Sequence, residues 1–115
     1  MKTVTKPWGR ELWVAHTDKY ALKIIELEKG TRCSLQYHPK KHEHIYVDQG
    51  VAQVECENEQ GEMVTRLLHV GDVVENKPNR KHRITAIEDL KIIEVSTPEL
   101  GPDDVVRVED DYDRQ

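Results

Sequence analysis

The sequence predicts an all-β domain, a sandwich or small barrel. Its apolar mass is Val, Ile and Leu with no phenylalanine, a β-branched bias that suits strands. Short apolar-polar runs recur roughly every eight to twelve residues between Gly, Pro, Asn or Asp. No stretch before residue 98 carries a helical apolar stripe. In chain order the expected strands are Glu11–Ala15, Tyr20–Glu28, Ser34–Tyr37, His44–Val47, Val51–Glu57, Met63–His69, Asp72–Glu75, His82–Ile87 and Lys91–Ser96. Within Val51–Glu57, Ala52, Val54 and Cys56 share one face and Gln53 and Glu55 the other, the period of a strand with one buried side. Glu57–Glu62 reads as a hairpin loop in which Gly61 supplies positive φ. Beyond Pro98 the pattern weakens: Glu99–Pro102 is a connector, and Val105, Val106 and Val108 offer a short apolar piece that can pack back on the core.

A chain of 115 residues fits one domain with one core, here taken as 1–115, with the body at about 6–97 and an acidic segment at 98–115. That last segment holds seven acids against Arg107 and Arg114, which accounts for the whole formal charge of −5. An acidic end of this kind is expected to be a solvated surface. The charge balance excludes the basic face of a nucleic-acid binder. No apolar run approaches the length of a spanning helix, and MKTVTKPWGR lacks the apolar core of an export signal. The expectation is a cytoplasmic protein with no membrane partner. Cys33 and Cys56 are then reduced, buried thiols, with a disulfide between them as the alternative.

Gly30–Gly50, GTRCSLQYHPKKHEHIYVDQG, carries the most chemistry. Gln36 and His38 are two apart and leave one face of a strand. Glu43 follows after a turn at His38–Lys41, and a hairpin there is expected to set it across from that pair. His82 opens a later strand after NKPNRK. Two imidazoles, a carboxylate and an amide oxygen suit a first-row divalent cation and leave positions open. A single histidine is more often a surface group, so the cluster matters more than any member. His42 and His44 fall on the opposite strand face and are read as supporting or exposed; His16 and His69 are read as structural.

Gly30, Gln36, His38, Glu43 and Gly50 fall at the spacing G-x5-H-x-H-x4-E-x6-G of the first cupin motif, with Gln36 in the first histidine position. The second motif, G-x5-P-x-G-x2-H-x3-N, is met in part: Gly71 and His82 keep their separation, while Lys77, Asn79 and Ala86 replace its proline, glycine and asparagine. Asn79 can still adopt the left-handed backbone such a turn needs. The chain thus resembles the cupins, whose fold is a small double-stranded β-helix, a jelly-roll-like barrel. Within them, SLQYHPKKHEHIYVDQG resembles the S-L-Q-x-H-x-x-R-x-E-H-W-x-V-x-x-G signature of the type II phosphomannose isomerases, in which glutamine is characteristic of the first ligand position. These also form the C-terminal domain of bifunctional mannose-1-phosphate guanylyltransferases. Lys6–Gly9, KPWG, resembles that domain's opening and Glu94–Arg114 its ending. Lys41 stands for the family's arginine, Ile45 for its tryptophan and NKPN for its IPxG.

The resemblance implies a metal-dependent interconversion of mannose 6-phosphate and fructose 6-phosphate, without guanylyl transfer. It implies one divalent ion (zinc, manganese, iron or nickel) on Gln36, His38, Glu43 and His82. A cation beside the sugar oxygens stabilises developing negative charge as a Lewis acid, and a base must move a carbon-bound proton. Lys23, sharing a strand face with Ala21 and Ile25, is a candidate inward lysine, either functional or ion-paired. Arg107 is a candidate catalytic or substrate-gripping residue, with a salt bridge to Asp103, Asp104 or Asp110 as the alternative. Lys40, Lys41, Arg80 and Lys81 lie on loops flanking the ligands and are candidate phosphate contacts. Another sugar as substrate, or a non-enzymatic sugar-binding module, remain the competing readings. A homodimer through an exposed edge strand is expected.

Overall fold

The computed structural model describes residues 1–98 and 101–113. Its strands are β1 (Lys2–Lys6), β2 (Gly9–His16), β3 (Ala21–Leu27), β4 (Leu35–Tyr37), β5 (His42–Gln49), β6 (Ala52–Glu57), β7 (Met63–Leu68), β8 (Val73–Asn76), β9 (His82–Ala86), β10 (Leu90–Thr97) and β11 (Val106–Glu109), with one 3-10 turn, Gly101–Asp104, before the last. They form two antiparallel sheets, β1-β2-β3-β10-β5-β8 and β11-β4-β9-β6-β7. Strands β1 and β11 were not anticipated as strands; each lies at a sheet edge, where pairing on one side demands little of local composition.

Alternation places one row of each strand between the sheets. On β3, Ala21, Lys23, Ile25 and Leu27 are buried and their neighbours half-buried; on β5 the inward row is Glu43, Ile45 and Val47, and on β10 it is Leu90, Ile92, Glu94 and Ser96. The ladders align these rows by kind. Ile92 lies opposite both Ile25 and Val47, Ile84 opposite Val54, and Ala86 opposite Ala52. Glu94 instead lies opposite Lys23, Ser96 opposite Glu43, and His82 opposite Gln36. The barrel interior is therefore apolar at one end and polar at the other. Val47, Val54, Leu68 and Ile92 are at most 2 % exposed, each contributing about 1.5–3 kcal/mol by burial. This apolar end carries the folding, which leaves the polar end for chemistry.

The predicted hairpin between Gln36/His38 and Glu43 does not form: β4 belongs to the smaller sheet and β5 to the larger. The turn containing Pro39 carries the chain across the barrel, so Glu43 meets His38 through the interior. Of the tryptophans, Trp8 joins the apolar cluster, while half-buried Trp13 lines the polar cavity and stacks on His16 at 4.4 Å. At Gly50 φ is +89°, and a Cβ there would collide with the Asp89 carbonyl; at the β8–β9 turn Asn79 holds φ +65°, the left-handed backbone expected of it. Cys33 and Cys56 are half-buried and not joined in a disulfide, and burial pushes the Cys56 thiol up, so it stays protonated and weakly reactive. Among the described residues no helix is long and apolar enough to cross a membrane.

Candidate metal centre and substrate cavity

His38, Glu43 and His82 converge at the polar end, all buried, with one donor atom from each lying within 4.8 Å of the others. His82 Nε2 is 3.0 Å from Glu43 Oε1 and His38 Nε2 is 3.9 Å from the same oxygen. The opposite ring nitrogens are occupied. His38 Nδ1–H donates to the Asp104 carbonyl at 2.7 Å, and His82 Nδ1–H to the Arg80 carbonyl at 3.1 Å. Those bonds orient both rings with Nε2 toward the carboxylate, the arrangement that presents neutral imidazoles to a cation. Burial, followed by smaller opposing contributions, lowers the His38 pKa, which favours the neutral ligand form.

Glu43 is the centre of a polar knot. Asn76 Nδ2 donates to its Oε1 at 3.2 Å, and the Cys56 thiol donates to Asn76 Oδ1 at 3.6 Å. Lys41 Nζ lies 3.8 Å from Oε2. Burial alone would raise the Glu43 pKa, but hydrogen bonds with Glu94 and His82, and the charges of His82 and Lys41, hold it well below the ordinary range. Burial, with the neighbouring Glu43 charge, pushes Glu94 well above its ordinary value. Neighbouring buried carboxyls oppose each other's ionisation, and of this pair Glu94 is the one driven toward the protonated form. Glu43 Oε2 has no hydrogen-bond partner. A fully buried carboxylate oxygen left unsatisfied, beside two imidazole Nε2 atoms turned toward the same carboxylate, is an N/N/O donor set suited to a divalent cation.

Gln36 stands at the edge of this group, across the ladder from His82. Its Oε1 accepts from the buried Ser34 hydroxyl at 2.7 Å, and its Nε2 faces His38 Nε2 at 3.5 Å. An amide nitrogen does not ligate, so Gln36 reaches a cation only with its amide turned over. Ser34 permits that, because a hydroxyl can accept from Nε2–H as readily as it donates to Oε1.

These groups open on a cavity of about 570 Å³, within the range of small-molecule sites, whose walls include Lys23, Lys41 and Arg107 beside the trio and Glu94. Lys23 projects from β3 with Nζ 4.6 Å above the Trp13 ring. Half-buried Arg107 enters from β11, opposite Gln36. Lys41 is buried despite its loop position. Arg80 and Lys81 are half-buried on the β8–β9 turn, outside the residues lining the cavity, and Lys40 is exposed, although its N–H donates to Asp104.

Sequence reasoning missed Glu94, Asn76 and Asp104. Glu94 had a signal in the inward register of Leu90, Ile92 and Ser96; Asn76 ends a strand and gave little. The acidic segment was expected to be solvated surface, and Asp104 corrects this. It is buried, its carbonyl orients His38, and its carboxylate accepts the Lys40 and Lys41 N–H groups at 3.1 and 2.8 Å.

Two sheets closed around a polar cavity with inward histidines define a cupin barrel, and solved structures agree. KdgF from Halomonas sp. superposes with TM-score 0.76 at 25 % identity over 88 % of this chain and 89 % of that one. Oxalate decarboxylase from Bacillus subtilis does so with TM-score 0.80 at 21 % identity, over 93 % of this chain and 30 % of that one. Residues 1–110 match the mannose-6-phosphate isomerase C-terminal family, and the chain belongs to it. Curated relatives include the alginate biosynthesis protein AlgA of Pseudomonas aeruginosa, 35 % identical over 96 % of this chain and 23 % of the relative. The mannose-1-phosphate guanylyltransferase of Klebsiella pneumoniae is 27 % identical over 98 % and 24 %. The chain thus spans less than a quarter of the length of these relatives.

Proposed function

We propose that the chain is a metal-dependent sugar-phosphate isomerase that interconverts mannose 6-phosphate and fructose 6-phosphate. The observation that carries this reading is the His38–Glu43–His82 trio set in the wall of one cavity with Lys23, Lys41 and Arg107; membership of the mannose-6-phosphate isomerase C-terminal family supports it. His38, Glu43 and His82 hold the ion, with Gln36 as a fourth ligand once its amide is turned. The ion supplies Lewis-acid stabilisation of negative charge on the sugar oxygens. Zinc, manganese, iron and nickel all suit these donors.

The reaction moves a proton from C2 to C1 and a hydroxyl proton from O2 to O1. The chain's own part is to hold the sugar still, exclude water and carry the proton. Lys23 and Arg107 enter from opposite sheets and are assigned to touch the substrate. Lys41 is the phosphate-side cation inside the cavity, with Arg80 and Lys81 at the turn completing the approach of the anion.

One observation favours a second reading, the same barrel acting on another sugar. Lys41 is engaged with Glu43, and an ammonium does not reproduce the two-pronged grip of the arginine that the family signature carries there. A coupled assay over a panel of sugar phosphates, with and without chelator, tests both. Turnover of mannose 6-phosphate that chelation abolishes supports the first; turnover only of another sugar supports the second. Binding with no turnover of any sugar defeats both. In the same assay Arg107→Ala should keep its metal and lower kcat, and unchanged kinetics would remove Arg107 from the site.

A further inference from the structure

The strand that supplies Glu43 to the interior turns two histidines to the opposite face. His42 and His44 flank Glu43 on β5 and project outward, and in the ladder His44 lies directly opposite Glu75 of β8. Both imidazoles address one oxygen: His42 Nε2 is 2.7 Å and His44 Nε2 3.7 Å from Glu75 Oε2. The two rings stack at 5.3 Å, inclined by 27°, so neither is splayed into solvent as an unrelated surface histidine would be. An ion pair needs only one of them. We propose that His42, His44 and Glu75 form a second, outward-facing cation site, separate from the interior trio.

The geometry is close to what an ion requires. The donor atoms of the three side chains lie within 4.8 Å of one another. Zinc bonds to nitrogen and oxygen of about 2.0–2.2 Å place tetrahedral ligands roughly 3.3–3.5 Å apart. The 2.7 Å contact must open and the 3.7 Å contact close by less than an ångström. Side chains 38 %, 53 % and 41 % exposed make such moves by small rotamer adjustments. Two residues on one strand and one on its ladder partner also form a rigid platform, since the backbone hydrogen bonds fix their spacing.

Two imidazoles and one carboxylate select zinc, copper(II) or nickel over magnesium or calcium, which prefer all-oxygen cages. The remaining coordination positions face solvent and take water or an outside donor. Lys77, whose charge reaches Glu75, opposes a bound cation and makes this site the weaker of the two.

The test is a zinc count by equilibrium dialysis on untagged full chain stripped with chelator. Wild type is compared with His44→Ala, which alters an exposed side chain and spares the core, and with His82→Ala. Wild type should bind one equivalent more than either variant, and in His82→Ala protein zinc should shift the ring-proton resonances of His42 and His44. Equal zinc counts and affinities in wild type and His44→Ala would overturn the surface site. A single equivalent lost in His44→Ala but kept in His82→Ala would support it while defeating the interior assignment. The reverse pattern would defeat the surface site and leave the interior one standing.

Discussion

Asp104 shows how much one side chain settles at this site. Three of its oxygens are used inside the protein, one on the His38 ring and two on the Lys40 and Lys41 N–H groups. The turn that delivers Lys41 and Glu43 is thereby tied to the ring that faces them. Asp104→Ala removes the acceptors of two backbone donors, one of them buried, which costs about 1–3 kcal/mol per orphaned buried group. Urea unfolding should show a lower midpoint by that order, with Asp104→Asn intermediate because it keeps an acceptor oxygen. The candidate ligands themselves were legible in the sequence, because Gln36, His38, Glu43 and His82 fall at a known spacing. Asp104 was not, because its role depends on a loop folding back over sixty residues of chain. No local pattern records that.

Among the elements, β11 does most with least. It pairs with β4 alone, yet it brings Arg107 to the cavity. Side chains beyond the ladder hold it: buried Arg83 donates to the Cys33 carbonyl and to Glu109, and Arg32 forms two hydrogen bonds with Asp111 just past the strand. Arg83→Met keeps the bulk and loses the donors. Amide exchange over Val106–Glu109 should then accelerate while β3, β5 and β10 stay protected, and uniform loss of protection would argue against a local role for Arg83. The Arg32 hydrogen bond holds the Asp111 pKa below its ordinary value. The folded-state pKa is thus depressed, and its contribution is present above the unfolded value and lost as pH falls through the folded one. Because the pair is exposed, the effect is small and salt-sensitive. Asp111 should titrate below the usual aspartate range in wild type and return toward it in Arg32→Ala, as followed by carboxyl NMR.

At the scale of the whole molecule, the interior trio joins the two sheets. Glu43 stands on the larger sheet, His82 on the smaller, and His38 just after β4 of the smaller. A cation bound there ties together layers otherwise held mainly by the apolar end of the barrel. Binding that favours the folded state adds about 2.7 kcal/mol when free ligand is a hundredfold above Kd. Thermal unfolding of stripped protein should therefore rise in midpoint on adding zinc or manganese, and most of the gain should vanish in His82→Ala. An equal gain in that variant would place the stabilising ion elsewhere.

The sequence by itself determined the class of fold, since period-two alternation and regular turn signals are local and survive without tertiary context. It also determined which residue types were available to hold an ion, since their spacing along the strands decides which faces they share. Only the tertiary structure decided that β4 and β5 part company into different sheets and that Glu94 comes to lie beside Glu43 in the interior. The same holds for Lys23 and Lys41 lining the cavity while Arg80 and Lys81 do not, and for His42 and His44 meeting Glu75 outside. Each of those depends on residues far apart in the chain becoming neighbours. Strand pairing sets those contacts, because burying the apolar rows selects the register and the polar groups must then meet whatever lies across from them.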